Sequence, residues 1–206
     1  ALARQTLSGL AAVAAQGEDD ARRLRELGAP EVSVLGNVKF DIEPPPPQLA
    51  LGDEFRRRIG DRPVFLCAST REGEEALILD AWPRDQRALL VIVPRHPQRF
   101  EEVAALVAAR ELRVQRRSDQ TPVGADTQVW LGDSMGEMFA YYAAADVAFV
   151  GGSLLDYGCQ NLIEPCSIGR PVLIGPSTFN FAEAAREALA AGAALQVPEA
   201  PALAAE

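Results

Sequence analysis

Short apolar runs alternate with helical segments along most of this chain, and that alternation narrows the possible folds. Ala88–Val93 (ALLVIV) is apolar at every position, which is typical of a strand buried on both faces of a sheet. The next segment, Gln98–Arg110, carries Val103, Leu106 and Val107 at helical spacing. Strands that alternate with helices indicate a parallel sheet with crossover helices. We therefore predict an α/β fold with a Rossmann-like, doubly wound parallel sheet.

The remaining predicted elements follow the same pattern. Further strands are predicted at Pro63–Ala68, Arg113–Arg116, Val129–Leu131, Val147–Val150, Pro171–Ile174 and Ala194–Val197. Further helices are predicted at Gly73–Trp82, Met135–Ala144 and Phe181–Ala190. One face of the Met135–Ala144 helix is an apolar stripe, which predicts a core position. The stripe consists of Met135, Met138, Phe139 and Tyr142.

The first forty residues fit this pattern less well. They predict a strand at Leu10–Ala15, a short helix at Asp19–Leu27 and a strand at Val32–Leu35. Four prolines follow, Pro44–Pro47, and a proline run acts as a stiff, extended connector rather than as sheet or helix. We therefore expect a domain boundary near the prolines, preceded by the last unit of another domain.

Charge and composition exclude several partners. The formal net charge is -9, so no nucleic-acid partner is expected, because a phosphate backbone requires clustered Lys and Arg. No apolar run approaches the ~20 residues that span a bilayer, and a start at Ala1 without Met suggests processing or a fragment. Three cysteines without a Cys-x-x-Cys pair favour a reducing cytoplasm. His96 is the single histidine, so we expect no His-based metal site.

Polar and glycine-rich loops follow the predicted strands, where an open parallel sheet binds its ligands. Arg95 is of the residue type that binds phosphate or carboxylate bidentately, and Glu164 could accept both hydroxyls of a ribose. The five loops are Ser69–Glu75, Pro94–Pro97, Gly132–Glu137, Gly151–Ser153 and Gln160–Pro165. Each loop alone could be an ordinary turn or helix cap, such as a capping box at Ser69 or Thr70. Five of them at one sheet edge favour a nucleotide site.

Several common enzyme motifs do not occur in this sequence. No G-x-G-x-x-G follows an early strand, and neither a P-loop nor G-x-S-x-G is found. This pattern disfavours a dehydrogenase, a kinase and a hydrolase.

Five longer strings occur in a fixed order along the chain: ASTREGEE, VPRHPQRF, LGDSMGEM, ADVAFVGGSL and QNLIEPCSIGRPVLIGPSTFNF. Together they resemble the 3-deoxy-D-manno-octulosonic acid (Kdo) transferases of lipopolysaccharide synthesis, and GNVKFD resembles the segment that joins the two domains of that family. The resemblance implies one half of a GT-B glycosyltransferase, in which two Rossmann-like domains flank a cleft. The carboxy-terminal domain would bind the donor CMP-Kdo, and the amino-terminal domain would bind a lipid A precursor. By this resemblance, residues 1–36 are the tail of the acceptor domain, 37–48 the linker and 49–206 the donor domain.

The resemblance also implies roles for individual residues. The implied donor-binding residues are Pro94 and Arg95 beside the cytidine, Met135, Gly136 and Glu137 as a helix start at the CMP phosphate, Asn161 and Glu164 at phosphate and ribose, and Gly152 and Ser153 along the cleft. Further candidates are Ser69, Thr70, His96 and Gln160. The implied reaction is an inverting transfer of Kdo to a sugar hydroxyl, in which helix N-termini and Arg95 stabilise the departing CMP without a metal or other cofactor.

The general base of the family is a Glu of the amino-terminal domain, so no catalytic residue is expected in this chain. That domain also carries the membrane-binding face, and the resemblance thus implies that the intact protein lies at the cytoplasmic face of the bacterial inner membrane. The chain has Cys159-Gln160 where the family usually has Gly-His, and Arg71 where the family has His. Two alternatives stay open: a GT-B transferase or epimerase that uses a UDP-sugar, and a non-catalytic module whose sheet edge binds a protein partner.

Overall fold

The computed structural model of the chain describes residues 2–36, 40–84 and 87–204. The described residues divide between Ile42 and Glu43 into two compact units. The linker prediction at Asn37, Val38 and Lys39 lies outside the described residues.

The first unit is small. It contains helix α1 (Leu2–Leu7), strand β1 (Val13–Ala15), helix α2 (Glu18–Glu26) and strand β2 (Val32–Val34). The two strands pair in parallel, with Val13 opposite Val32, so the unit is one strand–helix–strand crossover. Acidic residues occupy the first turn of α2 and arginines its last turn. Both sets of charges interact favourably with the helix dipole and stabilise the helix.

The second unit begins with a helix that sequence analysis missed. Helix α3 spans Pro46–Ile59, although the proline run was predicted to be an extended connector. Prolines are tolerated in the first helical turn because the N–H groups of that turn have no intrahelical acceptor. The extended part of the run therefore ends at Pro45, where the backbone still has ψ of 122°.

A seven-stranded sheet forms the centre of the second unit. Its strands are β3 (Val64–Thr70), β4 (Leu89–Pro94), β5 (Val114–Arg116), β6 (Val129–Leu131), β7 (Val147–Val150), β8 (Val172–Ile174) and β9 (Ala194–Gln196). The strand order is β5-β6-β4-β3-β7-β8-β9, and every neighbouring pair is parallel. The predicted doubly wound parallel sheet is thereby confirmed, with β3 as the central strand from which the order runs outwards in both directions.

Helices cover both faces of this sheet and create two cores. The remaining helices are α4 (Glu74–Ala81), α5 (Phe100–Ala108), α6 (Met138–Ala144), α7 (Ile163–Ser167) and α8 (Ala182–Ala190). Helices α4 and α5 pack on one face through residues such as Ile78 and Val107. Helices α3 and α6 pack on the other face, where Phe55 lies edge-on against Trp130 with ring centroids 5.2 Å apart. No helix among the described residues is long and apolar enough to cross a membrane.

The predicted boundaries of two helices were wrong. The helix predicted from Gln98 is an α-helix only from Phe100, because Pro97–Arg99 forms a 3-10 turn before it. Helix α6 begins at Met138 rather than at Met135, since Gly136 has φ of 76° and cannot belong to a right-handed helix. The predicted core stripe is wrong at Met135 for the same reason, and its side chain is 54% exposed.

Candidate functional site

A pocket of about 330 Å³ lies at the carboxyl edge of the sheet in the second unit. Strands β3 and β4, the loop after β6, helix α6 and the loop after β7 contribute to it. The lining residues are Ser69, Val93, Pro94, Arg95, Ser134, Met135, Gly136, Glu137, Met138, Tyr141, Tyr142, Gln160, Asn161, Glu164 and Phe181. The pocket therefore occupies the region where sheets of this topology bind ligands, next to the central strand from which the order runs both ways.

The structure brings together nine of the thirteen residues singled out by sequence. These are Ser69, Pro94, Arg95, Met135, Gly136, Glu137, Gln160, Asn161 and Glu164. Ser69 reaches the pocket because strand β3 bulges between Ala68 and Thr70, where Ser69 adopts a left-handed φ of 55°. Pro94 is the last residue of β4, and Arg95 follows it with its Nε 3.2 Å from Gln160 Oε1, to which it donates a hydrogen bond.

Thr70, His96, Gly152 and Ser153 do not line this pocket. Thr70 is buried and donates a hydrogen bond to Glu75 at 2.9 Å, and no capping box forms there, because α4 starts only after Gly73. His96 lies beyond the lining residue Arg95 and precedes a 3-10 turn.

Ser153, predicted to line the cleft, has a fully buried side chain in this structure. Its hydroxyl donates to the Val150 carbonyl at 2.5 Å and accepts from the Gly175 N–H at 2.8 Å. Ser153 therefore holds the ends of β7 and β8 together rather than facing a ligand.

The buried carboxylate of Glu74 holds together the loops that follow β3 and β7. The Glu74 side chain is fully buried and accepts hydrogen bonds from the backbone N–H groups of Arg71 at 2.9 Å, Gly152 at 2.6 Å and Leu154 at 2.9 Å. Burial raises the pKa of Glu74, and the three N–H groups oppose that rise. Gly151 completes the close approach of β3 and β7, since a Cβ there would lie 2.6 Å from the Ser69 carbonyl oxygen.

Glu164 and Asn161 form the most distinctive polar pair of the pocket. Asn161 Nδ2 donates to Glu164 Oε1 at 3.1 Å, while Asn161 Oδ1 accepts from the Ile163 N–H at 3.1 Å. Burial raises the pKa of Glu164, and the hydrogen bond from Asn161 and the charge of Arg95 oppose this. No hydrogen bond to the second Glu164 oxygen forms among the described residues, so this pair can accept hydroxyl groups while Arg95 attracts an anion.

The wall opposite Glu164 contains residues that sequence analysis missed. Ser134 Oγ lies 2.5 Å from Glu137 Oε2 and 2.7 Å from the Tyr141 hydroxyl, and Arg117 donates to Glu137 Oε1 at 3.1 Å. The charge of Glu137 is therefore compensated within the wall, and Glu137 positions the loop rather than offering a free carboxylate. The LGDSMGEM string contains Ser134, but no local pattern indicated that Tyr141 or Arg117 would join it. No group of three or more His, Cys, Asp or Glu side chains in the described part of the chain is placed to hold a metal ion.

Comparison with known proteins identifies the family. The crystal structure of the C-terminal CMP-Kdo binding domain of WaaA from Acinetobacter baumannii matches with 35% sequence identity and a TM-score of 0.72, covering 76% of this chain and 85% of that chain. The chain belongs to the Kdo transferase family. The 3-deoxy-D-manno-octulosonic acid transferase of Bordetella pertussis is 49% identical over 205 residues, which is 96% of this chain and 48% of that protein. The corresponding transferase of Haemophilus influenzae is 38% identical over 85% of this chain and 43% of that protein.

The Kdo transferase match extends into the first unit. A family model described as 3-Deoxy-D-manno-octulosonic-acid transferase (kdotransferase) matches residues 1–42, and the first unit ends at Ile42 as well. The chain spans about half the length of the curated relatives it matches. The family assignment is the one that the five sequence strings predicted.

Proposed function

We propose that this chain supplies the donor-nucleotide site of an inverting glycosyltransferase that moves Kdo from CMP-Kdo to a lipid A precursor. The observation that carries the proposal is the pocket at the carboxyl edge of the sheet, which contains Arg95, Asn161 and Glu164 in a chain 35% identical to a CMP-Kdo binding domain. A nucleoside monophosphate requires hydroxyl acceptors and an anion partner together, and these three side chains offer both.

Each polar side chain of the pocket has a proposed role. The Glu164 carboxylate accepts the ribose hydroxyls, and Asn161 orients that carboxylate through the bond at 3.1 Å. Arg95, which the family resemblance places beside the cytidine, supplies positive charge for the departing CMP, because its exposed guanidinium has no carboxylate within 4 Å among the described residues. Ser69, Pro94 and the Met135–Glu137 loop form the remaining walls. Stabilisation of the departing CMP would thus come from fixed donors around its phosphate.

We infer that the general base and the acceptor site of the reaction lie outside the donor domain. We infer that residues 1–36 end an amino-terminal acceptor domain, that 37–48 link the domains, and that 49–206 form the donor domain. The family-model match to residues 1–42 supports the first of these inferences. The general base, the lipid A precursor site and the membrane contact are assigned to that amino-terminal domain, and the intact protein to the cytoplasmic face of the inner membrane.

Calorimetric titration of the chain with CMP, UMP and AMP tests the donor site. We expect selective binding of CMP with a dissociation constant on the order of 1 mM, a value reasonable for a small ligand in an open pocket. A preference for UMP would instead favour a UDP-sugar enzyme, and concentration-dependent self-association with no response to any nucleotide would favour an interaction module.

Two matched variants connect the binding to the pocket. Glu164→Ala is expected to abolish measurable CMP binding, because it removes the proposed ribose acceptor. Glu187→Ala is the control, since Glu187 is an exposed residue of α8 outside the pocket lining. Equal affinity of both variants for CMP would contradict the assignment of Glu164.

A further inference from the structure

Arg71 lies beside the pocket, and its guanidinium has no hydrogen-bond acceptor among the residues that the structure describes. Its Cζ is 4.7 Å from the centroid of the Tyr157 ring, and its backbone N–H donates to the buried Glu74. Tyr157 is itself fixed, because its hydroxyl donates to the Glu72 carbonyl at 3.2 Å and its own carbonyl accepts from Asn180 at 2.8 Å. Stacking holds the face of the guanidinium and leaves the N–H groups at its edge free to donate in their plane.

Most other arginines of the second unit, partly buried or exposed, have a nearby carboxylate or carbonyl partner. Arginines within 4.0 Å of a carboxylate are Arg56, Arg58, Arg99, Arg110, Arg113, Arg116, Arg117 and Arg186. Arg62 and Arg170 donate to backbone carbonyls instead. Arg71 is half-buried, and no hydrogen bond or ion pair of its guanidinium forms within the described ranges. In a chain of net charge -9, a half-buried arginine without a carboxylate within 4.0 Å among the described residues is available to an external anion.

Gln160 connects Arg71 to the pocket. A Cβ at residue 152 would lie 3.4 Å from Arg71 Cγ and 3.2 Å from Gln160 Nε2, so the Arg71 stem and the Gln160 amide converge above Gly152. Gln160 lines the pocket and accepts the hydrogen bond from Arg95. The Gln160 side chain therefore contacts the Arg95 guanidinium in the pocket and lies near the stem of Arg71 above Gly152.

We propose that Arg71 binds the carboxylate of the donor sugar, immediately outside the nucleotide pocket. This inference rests on the proposed function, in which the donor is CMP linked to a sugar acid. The donor then carries two anionic groups, a phosphate and a carboxylate, and the site offers two guanidinium groups near Gln160, those of Arg95 and Arg71, with no carboxylate within 4 Å among the described residues. Arg71 thereby selects a CMP-linked sugar acid over CMP alone, since an arginine fork matches a carboxylate bidentately.

The test compares two probes, CMP and freshly prepared CMP-Kdo, by calorimetry on the wild-type chain and three variants. Arg71→Gln is expected to weaken CMP-Kdo binding by about ten-fold to a hundred-fold, the usual loss of a charge-assisted hydrogen bond, while CMP affinity changes less than about two-fold. Arg71→Lys should lose less CMP-Kdo affinity than Arg71→Gln, because lysine keeps the positive charge but lacks the planar guanidinium that binds a carboxylate bidentately. Arg57→Gln is the matched control, as Arg57 is an exposed arginine of α3, and it should leave both affinities unchanged.

Three results would overturn the assignment, and they differ from one another. If Arg71→Gln leaves CMP-Kdo binding intact, or weakens the binding of CMP and CMP-Kdo equally, Arg71 does not bind the sugar carboxylate. Neither result contradicts the proposed nucleotide site. If the wild-type chain binds neither probe, the proposed donor site itself fails, and the role of Arg71 fails with it.

Discussion

Replacing Glu75 by Leu should strongly destabilise the second unit, although Glu75 does not touch the pocket. The Glu75 side chain is fully buried, and its Oε2 accepts from Arg99 Nη2 at 3.0 Å. Its Oε1 accepts from the Thr70 hydroxyl at 2.9 Å. Arg99 is also nearly buried, with 9% of its side chain exposed, and pairs with Glu102 at 3.0 Å. The pair links helix α4 to the 3-10 turn after β4, and through Thr70 also to the end of β3.

The loss of stability depends on which charge of the Glu75–Arg99 pair is left buried. Removing one member of a buried ion pair costs about 3 to 5 kcal/mol, because the other charge stays buried without its partner. Glu75→Leu leaves Arg99 with Glu102 and should lie near 3 kcal/mol on that scale, whereas Arg99→Met leaves the fully buried carboxylate with a hydroxyl and should lie near 5 kcal/mol. For a unit of this size each kcal/mol lowers Tm by about 2 to 4 °C, so Tm should fall by about 6 to 20 °C. The double variant should cost less than either single change, since replacing both charges by apolar groups of similar volume is often neutral.

Tryptophan fluorescence during urea unfolding measures these differences. Trp82 and Trp130 are the only tryptophans of the chain and are both buried in the second unit, so the signal reports that unit directly. Glu187→Gln is the control, because the Arg186–Glu187 pair is exposed and such pairs contribute little. If the costs of the two single variants simply add in the double variant, Glu75 and Arg99 do not act as a pair, and the reasoning is refuted.

Three further predictions follow from particular residues. Gly52→Ala should destabilise the second unit by about 1 to 3 kcal/mol, because the new methyl carbon would lie 2.5 Å from a side-chain carbon of α6; a thermal melt with an unchanged midpoint would contradict this packing. Burial raises the pKa of Glu164, so its carboxyl stays protonated to a higher pH than usual, and CMP affinity should rise as the pH increases through that pKa; the Glu164→Gln variant should show no such rise in calorimetry. Burial also raises the pKa of Cys159 to about 12 and that of Cys67, so Ellman's reagent should modify the partly exposed Cys166 first, and rapid reaction of two thiols in the folded chain would argue against these burials.

The sheet could be predicted from sequence because burial on both faces leaves a clear pattern. Strand β4 is buried at all six positions, and the corresponding apolar run was recognised with a shift of one residue at each end. Helix α3 left a weaker signal. Its buried side is marked by Leu51, Phe55 and Ile59 at intervals of four, but the preceding prolines were interpreted as the whole of that segment. Proline restricts where a helix can begin, and it does not prevent one from beginning there.

The grouping of the site residues could be predicted from sequence, because it follows from the topology of the sheet. Loops that follow parallel strands must meet at one edge, so Arg95, Asn161 and Glu164 could be grouped without coordinates. The orientation of individual side chains could not be predicted. A bulge at the end of β3 directs Ser69 to the pocket and Thr70 to the interior, and a one-residue irregularity of this kind reverses which neighbour faces the ligand.

The two glutamates of the ASTREGEE string show why a motif does not by itself distinguish a ligand contact from its support. Glu74 and Glu75 are adjacent acidic residues beside a nucleotide pocket, yet both are fully buried and neither lines it. Glu74 holds three backbone N–H groups of two loops, and Glu75 holds Arg99. Arg71, by contrast, belongs to the same string, and its guanidinium forms no hydrogen bond or ion pair with any residue that the structure describes. Burial and hydrogen-bond partners therefore separate the two supporting glutamates from Arg71, the proposed carboxylate-binding residue, more sharply than the motif does.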